Sequence, residues 1–274
     1  MARQHVAVFA AQLVCAAFLV ITSLRNDNFH LWMSDATLTT SVPSMASTAL
    51  QSAVNEMCEC EVWNPVWKVC QRTQPMCVFI DLGAADGNTF NQFLSDGFGP
   101  VENCSNGTWE AHLVEANPRF HPQLKQLETK YPGRVKASTS TAAFFCEGST
   151  TFYLDMQSHK KNYWGSSLSS NHPDVQKSGM QNVQVHLMNV NRILFENTIA
   201  SDWVKLKVDV EGAEYDILPC LARSPSASLV DQLFVEVHRP SLSLTNGTKN
   251  SLNAATSKLK ALGVDIPRYS SPTL

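Results

Sequence analysis

The 274-residue chain carries little charge and almost no charge imbalance. Charged residues make up 16% of the sequence, and the formal net charge is −3. A chain without a basic excess lacks the electrostatic signature of a nucleic-acid-binding protein, so we expect no nucleic-acid partner. Internal repeats are absent as well. An apolar content of 44% is sufficient for one α/β domain of ordinary size with a large core.

The eight cysteines lack the usual spacing of a zinc site. Cys58 and Cys60 are separated by one residue instead of two, and no paired histidines follow them. Disulfides are therefore the preferred interpretation and zinc the weaker alternative, although the sequence cannot choose a pairing. Cys15 falls in an apolar run, and Cys220 falls in an apolar helix pattern that predicts a core thiol. The six candidates for disulfides are Cys58, Cys60, Cys70, Cys77, Cys104 and Cys146.

Residues 6–24 contain no charged side chain. As a helix they would span roughly 28 Å, close to the thickness of a bilayer core. The end of this run is a weak cleavage site, so residues 1–24 are interpreted as an uncleaved signal anchor, with a cleaved signal peptide as the alternative. The first predicts a single-pass type II membrane protein of the endoplasmic reticulum or Golgi, and the second predicts a secreted protein.

Aromatic residues are missing from residues 34–52, which are rich in Ser and Thr. This composition is typical of a stem or linker, which we place at residues 25–57. Residues 58–274 then form the folded domain, beginning with a cysteine-rich cap. Sequons at Asn103, Asn106 and Asn246 support a secretory route.

Residues 77–93 are the most informative stretch of the chain. The apolar run 78–80 predicts a buried strand of a parallel sheet, which ends at Asp81. Gly83 and Gly87 follow, and a helix begins near residue 88. A strand, a glycine turn and a helix are typical of ligand binding at the carboxyl end of a sheet, whereas a tight turn without a ligand is the alternative.

The glycine turn itself is poor in glycine. A nicotinamide-binding fingerprint would require glycines at positions 83, 85 and 88, but this chain has Ala85 and Asn88. A ligand without a pyrophosphate, such as S-adenosylmethionine (SAM), fits this turn better. The next predicted strand ends in Glu115, where an acid binds ribose hydroxyls in related sheets. A surface acid before a turn is the alternative for Glu115.

The segment 135–143 predicts a third strand, and the polar segment 155–183 is too long for a plain connection. Long ordered loops of this kind often bind substrates, so we assign substrate binding to His159, Lys161 and Trp164, with a solvated loop as the alternative.

Residues 202–221 predict a strand that ends near Asp209, a break at Gly212 and a helix. Residues 233–238 predict a neighbouring strand. Asp209 and His238 would then meet where these strands end, which makes them candidates for proton transfer, and Glu211 would face the substrate. We prefer a site without a metal. The alternative is a metal bound by Asp209, Glu211, Glu236 and His238.

Four motifs, DLGAADG (81–87), VEANP (114–118), KVDVEGAEYDIL (207–218) and FVEVH (234–238), occur in this order. Together they resemble the FkbM-type SAM-dependent methyltransferases. The resemblance implies a Rossmann-like class I α/β fold: a mostly parallel twisted sheet, seven-stranded in the order 3-2-1-4-5-7-6, with helices on both faces. It also implies SAM as cofactor and cofactor binding by Asp81, Gly83, Ala84, Gly87, Glu115, Thr141 and Ala142.

The function implied by this resemblance is methylation of a hydroxyl group. In the secretory pathway, the acceptor would be a glycan, a glycolipid or a small metabolite. The resemblance places Asp209 opposite the reacting methyl group. A catalytically inactive protein that keeps the fold and only binds its ligand is the alternative.

Overall fold

The computed structural model describes residues 58–100 and 108–269. The apolar N-terminal run, the Ser/Thr-rich linker and the sequons at Asn103 and Asn106 lie outside these ranges, so the predictions made from them stay predictions. Within the described ranges, no helix is long and apolar enough to cross a membrane.

The described chain alternates strands and helices. The strands are β1 (Cys77–Leu82), β2 (Trp109–Glu115), β3 (Val135–Thr139), β4 (Thr141–Phe144), β5 (Gly148–Tyr153), β6 (Asn182–Asn189), β7 (Trp203–Val208) and β8 (Gln232–Val235). The α-helices are α1 (Asn88–Leu94), α2 (His121–Lys130), α3 (Pro173–Lys177), α4 (Val190–Asn197), α5 (Glu214–Leu221) and α6 (Lys249–Ala261). Short 3-10 turns connect several of them.

Five strands form a parallel central sheet in the order β3-β2-β1-β7-β8. Strand β1 is buried along its whole length, and its alternate side chains enter two different cores. Val78 and Ile80 pack with α4, α5 and α6, whereas Phe79 packs with α1 and α2. Helices therefore cover both faces of the central sheet, as the continuous apolar sequence of β1 predicted. The α/β fold is confirmed.

The sheet matches only part of the seven-stranded order that the family resemblance implied. The described strands correspond to its 3-2-1-4-5 portion. After α6, the described chain adds a single parallel bridge between Asp265 and Gln232 at the β8 edge, and no further strand among the described residues.

The predicted third strand, 135–143, is two strands in the structure. Ser140 adopts a positive φ of 51°, which a strand cannot continue through. Strand β3 stays in the central sheet, and β4 turns away to pair with β6. The second sheet, β4-β6-β5, contains an antiparallel β5–β6 pair. This break places the start of β4 beside the carboxyl edge of the central sheet.

The long segment 155–183 is ordered and contains local structure. A 3-10 turn forms at His159–Lys161, and α3 follows at Pro173–Lys177. Strand β6 and helix α4 come next, and the sequence patterns missed both. The buried residues of β6 alternate along the strand, but they include the polar Asn189 beside Val185 and Leu187, which shortens the apolar pattern.

Disulfides join the cysteine-rich cap to the rest of the domain. Cys58 pairs with Cys146, just after β4, and Cys60 pairs with Cys220 in α5. Cys77 in β1 is disulfide-bonded as well. These pairs confirm the preference for disulfides over zinc at these positions.

Two individual cysteine predictions were wrong. Cys220 is a disulfide partner of Cys60 and not a simple core thiol. Cys70, which we had counted among the paired residues, is free. The bridge partners lie 160 residues apart in sequence, so no local pattern could reveal the pairing.

Removing the Cys60–Cys220 bridge should lower the free energy of unfolding by about 2–5 kcal/mol, because the bridge restricts the unfolded chain over a long loop. The test is urea denaturation of Cys60→Ala/Cys220→Ala beside Cys70→Ala, which removes a free thiol. The control should change stability by about 0.5 kcal/mol or less. Equal losses in the two variants would contradict a stabilising bridge.

Candidate active site

A cavity of about 500 Å³ opens at the carboxyl ends of the central strands. This edge is where open α/β sheets bind ligands. The predicted site residues that line the cavity are Gly83, Glu115, Thr141, Ala142, Lys161, Trp164, Asp209 and Glu211. The predicted site residues that lie outside the described lining are Asp81, Ala84, Gly87, His159 and His238. Two of these, Asp81 and Ala84, are fully buried beneath the glycine turn.

Asp81 forms a buried ion pair with Lys207. The two residues stand opposite each other in the β1–β7 register, and Lys207 Nζ lies 3.0 Å from Asp81 Oδ1. Both side chains are almost completely buried, and the hydroxyl of Thr89 also donates to Asp81. Burial alone would lower the pKa of Lys207, but the carboxylates of Asp81 and Asp209 raise it above its usual value. Burial raises the pKa of Asp81, whereas Lys207 opposes that shift, and the short contact favours the charged pair.

Lys207 also connects the glycine turn with Asp209. Its ammonium group donates to the carbonyl oxygen of Gly83 at 2.7 Å and lies 3.5 Å from Asp209 Oδ2. Lys207 lines the cavity as well. Alternation along β7 puts Lys207 on the same strand face as Asp209. Its role could not be predicted, because its partner Asp81 is distant in sequence.

The glycines of the turn are required by packing within the protein. Gly83 has a φ of +83°, and a Cβ there would lie 1.8 Å from the carbonyl oxygen of Asp209. Gly87 has a φ of +84°, and its Cβ would lie 2.4 Å from Leu127. Packing alone therefore explains both glycines, and close approach of a ligand is not needed to account for them. The contact at Gly83 holds the turn against the end of β7.

Glu115 links the end of β2 to the glycine turn. Its Oε2 accepts from the backbone N–H of Ala85 at 2.8 Å, and its Oε1 accepts from Asn117 N–H at 2.6 Å. Burial raises the pKa of Glu115 to about 7, although these hydrogen bonds and Lys207 oppose the shift. Each carboxylate oxygen retains a second lone pair, so Glu115 can still accept from a ligand hydroxyl.

Asp209, Glu211 and His238 form a cluster beside the cavity, where β7 and β8 end. His238 Nε2 lies 3.4 Å from Glu211 Oε2 and 3.8 Å from Asp209 Oδ1. On the other side of the ring, Nδ1 lies 3.3 Å from Oε1 of the buried Glu214. Glu211 Oε2 also lies 3.2 Å from Nε2 of His172, which comes from the long segment before α3.

The charges within this cluster shift two pKa values. Burial alone would raise the pKa of Glu211, but His172 and His238 lower it to about 2. Burial alone would lower the pKa of His238, but Glu211 and Glu214 raise it to about 11.

The predicted substrate loop is attached to the glycine turn. Asn162 Nδ2 donates to Asp86 Oδ2 at 2.8 Å, and the guanidinium of Arg119 lies 3.6 Å from the ring centre of Tyr163. His159 hydrogen-bonds to Tyr163, which accounts for its position outside the cavity lining. Its neighbours Lys161 and Trp164 do line the cavity, so the loop supplies part of the wall.

Comparison with known proteins gives one match. The sequence profile of the methyltransferase FkbM domain matches residues 81–259. The chain belongs to the FkbM methyltransferase family. Searches of curated proteins and of solved structures found no match. The family that the four motifs indicated is thereby confirmed.

The FkbM domain contains every element of the site described above. It begins at Asp81, where β1 meets the glycine turn, and continues into α6. Sequence reasoning missed three contributors to the site, Lys207, His172 and Glu214. The sequence signal for Lys207 was a lysine placed between the apolar residues of a buried strand. No feature of the sequence around His172 distinguished that histidine.

Proposed function

We propose that this chain is a SAM-dependent methyltransferase that methylates a hydroxyl group of a glycan, a glycolipid or a small metabolite. The observation that carries the proposal is the position of Glu115 and Asp209. Glu115 ends β2 and Asp209 follows β7, the two strands that flank β1, and both residues line the same cavity within the residues that match the FkbM domain.

The cavity suits SAM in size and chemistry. A volume of about 500 Å³ lies in the usual range for small-molecule sites. Glu115 offers an acceptor for the ribose hydroxyls. Thr141 and Ala142 lie at the start of β4, where Phe152 and Leu168 add apolar surface for the adenine ring. When bound, SAM supplies an electrophilic methyl group.

Asp209 is the residue that we assign to the acceptor hydroxyl. It lines the cavity, whereas His238 is outside the described lining. Methyl transfer requires alignment of the acceptor oxygen with the methyl group, so positioning supplies much of the acceleration. Asp209 orients the hydroxyl and accepts its proton. Glu211, Lys161 and Trp164 line the same cavity and would contact the remainder of the acceptor.

We also propose that the enzyme works in the secretory pathway. The two described disulfide pairs support an oxidising compartment. The uncharged run 6–24 would attach the chain to the membrane, or would direct secretion if it is cleaved. Glycans and glycolipids are acceptors that fit this compartment.

A labelled-methyl assay tests the activity. The full chain is incubated with SAM carrying a labelled methyl group and with glycan, lipid and metabolite extracts from cells that lack the protein. Transfer of label to a product that gains one methyl group supports the proposal. Binding of SAM without transfer to any of these extracts would instead support the inactive binding protein.

The affinity for SAM should decrease as pH falls below about 7. Glu115 then becomes protonated and loses its charge, so it is a weaker acceptor for the ribose, with a loss of at most about tenfold per pH unit. The nearby charges are those of Lys207 and Asp81, which are paired with each other. Calorimetric titration between pH 5.5 and 8 measures the effect. In Glu115→Gln this dependence should disappear; if it persists, another group is responsible.

A further inference from the structure

We infer that Asp209, Glu211 and His238 form a binding site for a divalent metal cation at the edge of the cavity. Each of the three residues offers one ligand atom, and these atoms lie within 4.8 Å of one another. In a metal site with bonds of about 2.0–2.2 Å, adjacent ligand atoms lie roughly 3 Å apart. The separations of 3.4 and 3.8 Å from His238 Nε2 are close to this spacing, and the carboxylate oxygens of Asp209 and Glu211, within 4.8 Å of each other, would have to move closer.

The imidazole of His238 is oriented as a metal ligand would be. Its Nδ1 faces Glu214, whose side chain is completely buried. Glu214 is fixed in turn by the backbone N–H groups of His238 at 2.7 Å and Gly212 at 2.9 Å. A carboxylate behind one ring nitrogen is the usual way to orient a metal-binding histidine. In this site Glu214 lies behind Nδ1, so Nε2 of His238 points towards Asp209 and Glu211.

A second histidine orients Glu211 in the same manner. Nδ1 of His172 accepts from the backbone N–H of Asp174 at 3.2 Å, so its Nε2 carries the proton. That nitrogen lies 3.2 Å from Glu211 Oε2 and serves as its donor. His172 is therefore a positioning residue. The ligand histidine His238 and the ligand carboxylate Glu211 are each oriented by a further residue that does not bind the metal. A surface cluster of acids without a metal would not need such supporting residues.

The charges in the cluster also favour a cation. The carboxylates of Asp209, Glu211 and Glu214 surround one imidazole, and Lys207 is shared with Asp81. A divalent cation would balance these charges. Two carboxylate oxygens and one imidazole nitrogen suit Mn²⁺, and Mg²⁺ or Zn²⁺ are the nearest competitors.

The cation would also affect methyl transfer. That effect rests on the proposed function, whereas metal binding itself does not. Three protein ligands leave coordination positions open toward the cavity that Asp209 and Glu211 line. A hydroxyl oxygen bound there would pass its proton more easily to the carboxylate oxygen of Asp209 that does not bind the cation, because a bound cation stabilises the alkoxide. An acceptor with two adjacent oxygens could occupy two positions and would be preferred over a simple alcohol.

The test is direct metal binding, without SAM or acceptor. The full chain is stripped with a chelator and titrated with Mn²⁺, and free Mn²⁺ is followed by electron paramagnetic resonance. We expect one bound equivalent, a loss of affinity of at least about tenfold in His238→Ala, and a loss of about 10–100-fold in Glu214→Gln. His121→Ala, which changes an exposed histidine at the start of α2, should bind as the wild type does.

Glu211→Gln provides a second variant if a buried substitution prevents folding, and each variant is first checked by thermal melting. Bound Mn²⁺ should raise the melting temperature of the wild type but not of His238→Ala. A folded wild type that binds none of Mn²⁺, Mg²⁺ and Zn²⁺ would overturn the inference. So would equal affinities in His238→Ala and His121→Ala. Neither outcome depends on SAM binding, so a failure here is distinct from a failure of the proposed activity.

Discussion

The Asp209→Asn variant should transfer methyl groups at least about 10²-fold more slowly than the wild type, the loss typical of a missing general base. The amide keeps the shape of the side chain but cannot accept the hydroxyl proton. Melting temperature and SAM affinity should change little, because the amide keeps the shape of the side chain, Gly83 packs against the backbone oxygen of Asp209, and Lys207 keeps its closer ion pair with Asp81. The rate of labelled-methyl transfer measures the effect.

Asp265→Asn is the matched control, because Asp265 accepts from Gln232 at the far edge of the sheet. If Asp209→Asn retains the wild-type rate, Asp209 is not the proton acceptor, and the acceptor must be sought in the 159–164 loop. If excess Mn²⁺ partly restores the rate of Asp209→Asn, the role of Asp209 is to bind the cation. If Mn²⁺ restores none of the rate, the role of Asp209 is to accept the proton.

The Lys207→Met variant should lose about 3–5 kcal/mol of unfolding free energy, the usual result of leaving one buried charge without its partner. Asp81 would keep only Thr89 as a described side-chain donor, in a site from which water is excluded. Urea denaturation measures the loss. Asp81→Asn/Lys207→Met removes both charges and should recover part of it.

Lys125→Met is the control for Lys207→Met. Lys125 pairs with Glu128 on the exposed side of α2, where an ion pair contributes about 0–1 kcal/mol. If Lys207→Met costs no more than Lys125→Met, the buried pair does not stabilise the fold. SAM affinity should fall along with stability in Lys207→Met, because Lys207 also holds the carbonyl oxygen of Gly83.

The parts of the site that the sequence could predict are those set by local patterns. The apolar run before Asp81, the alternation before Asp209 and the acid at Glu115 each depend on one strand and the turn after it. Strand ends at the carboxyl edge of a parallel sheet converge, so these residues could be placed together without knowing the full strand order.

Residues that depend on distant neighbours could not be placed. The Asp81–Lys207 pair requires β1 to lie beside β7, and the Cys60–Cys220 bridge joins residues far apart in the chain. The strand break at Ser140 has no sequence signal, because serine is not a residue that favours a positive φ. Glu214 is the first residue of α5, and only the folded chain shows it behind His238.

Equilibrium binding of SAM to the folded full chain, measured by calorimetry, tests the central proposal most directly. We predict saturable binding with a Kd of about 1 μM to 1 mM, the range of enzyme affinities for their substrates. Glu115→Ala should weaken binding by about 1.5–3 kcal/mol, because a charged hydrogen-bond acceptor for the ribose is lost. A folded wild type that does not bind SAM, or a folded Glu115→Ala variant with unchanged affinity, would contradict the account.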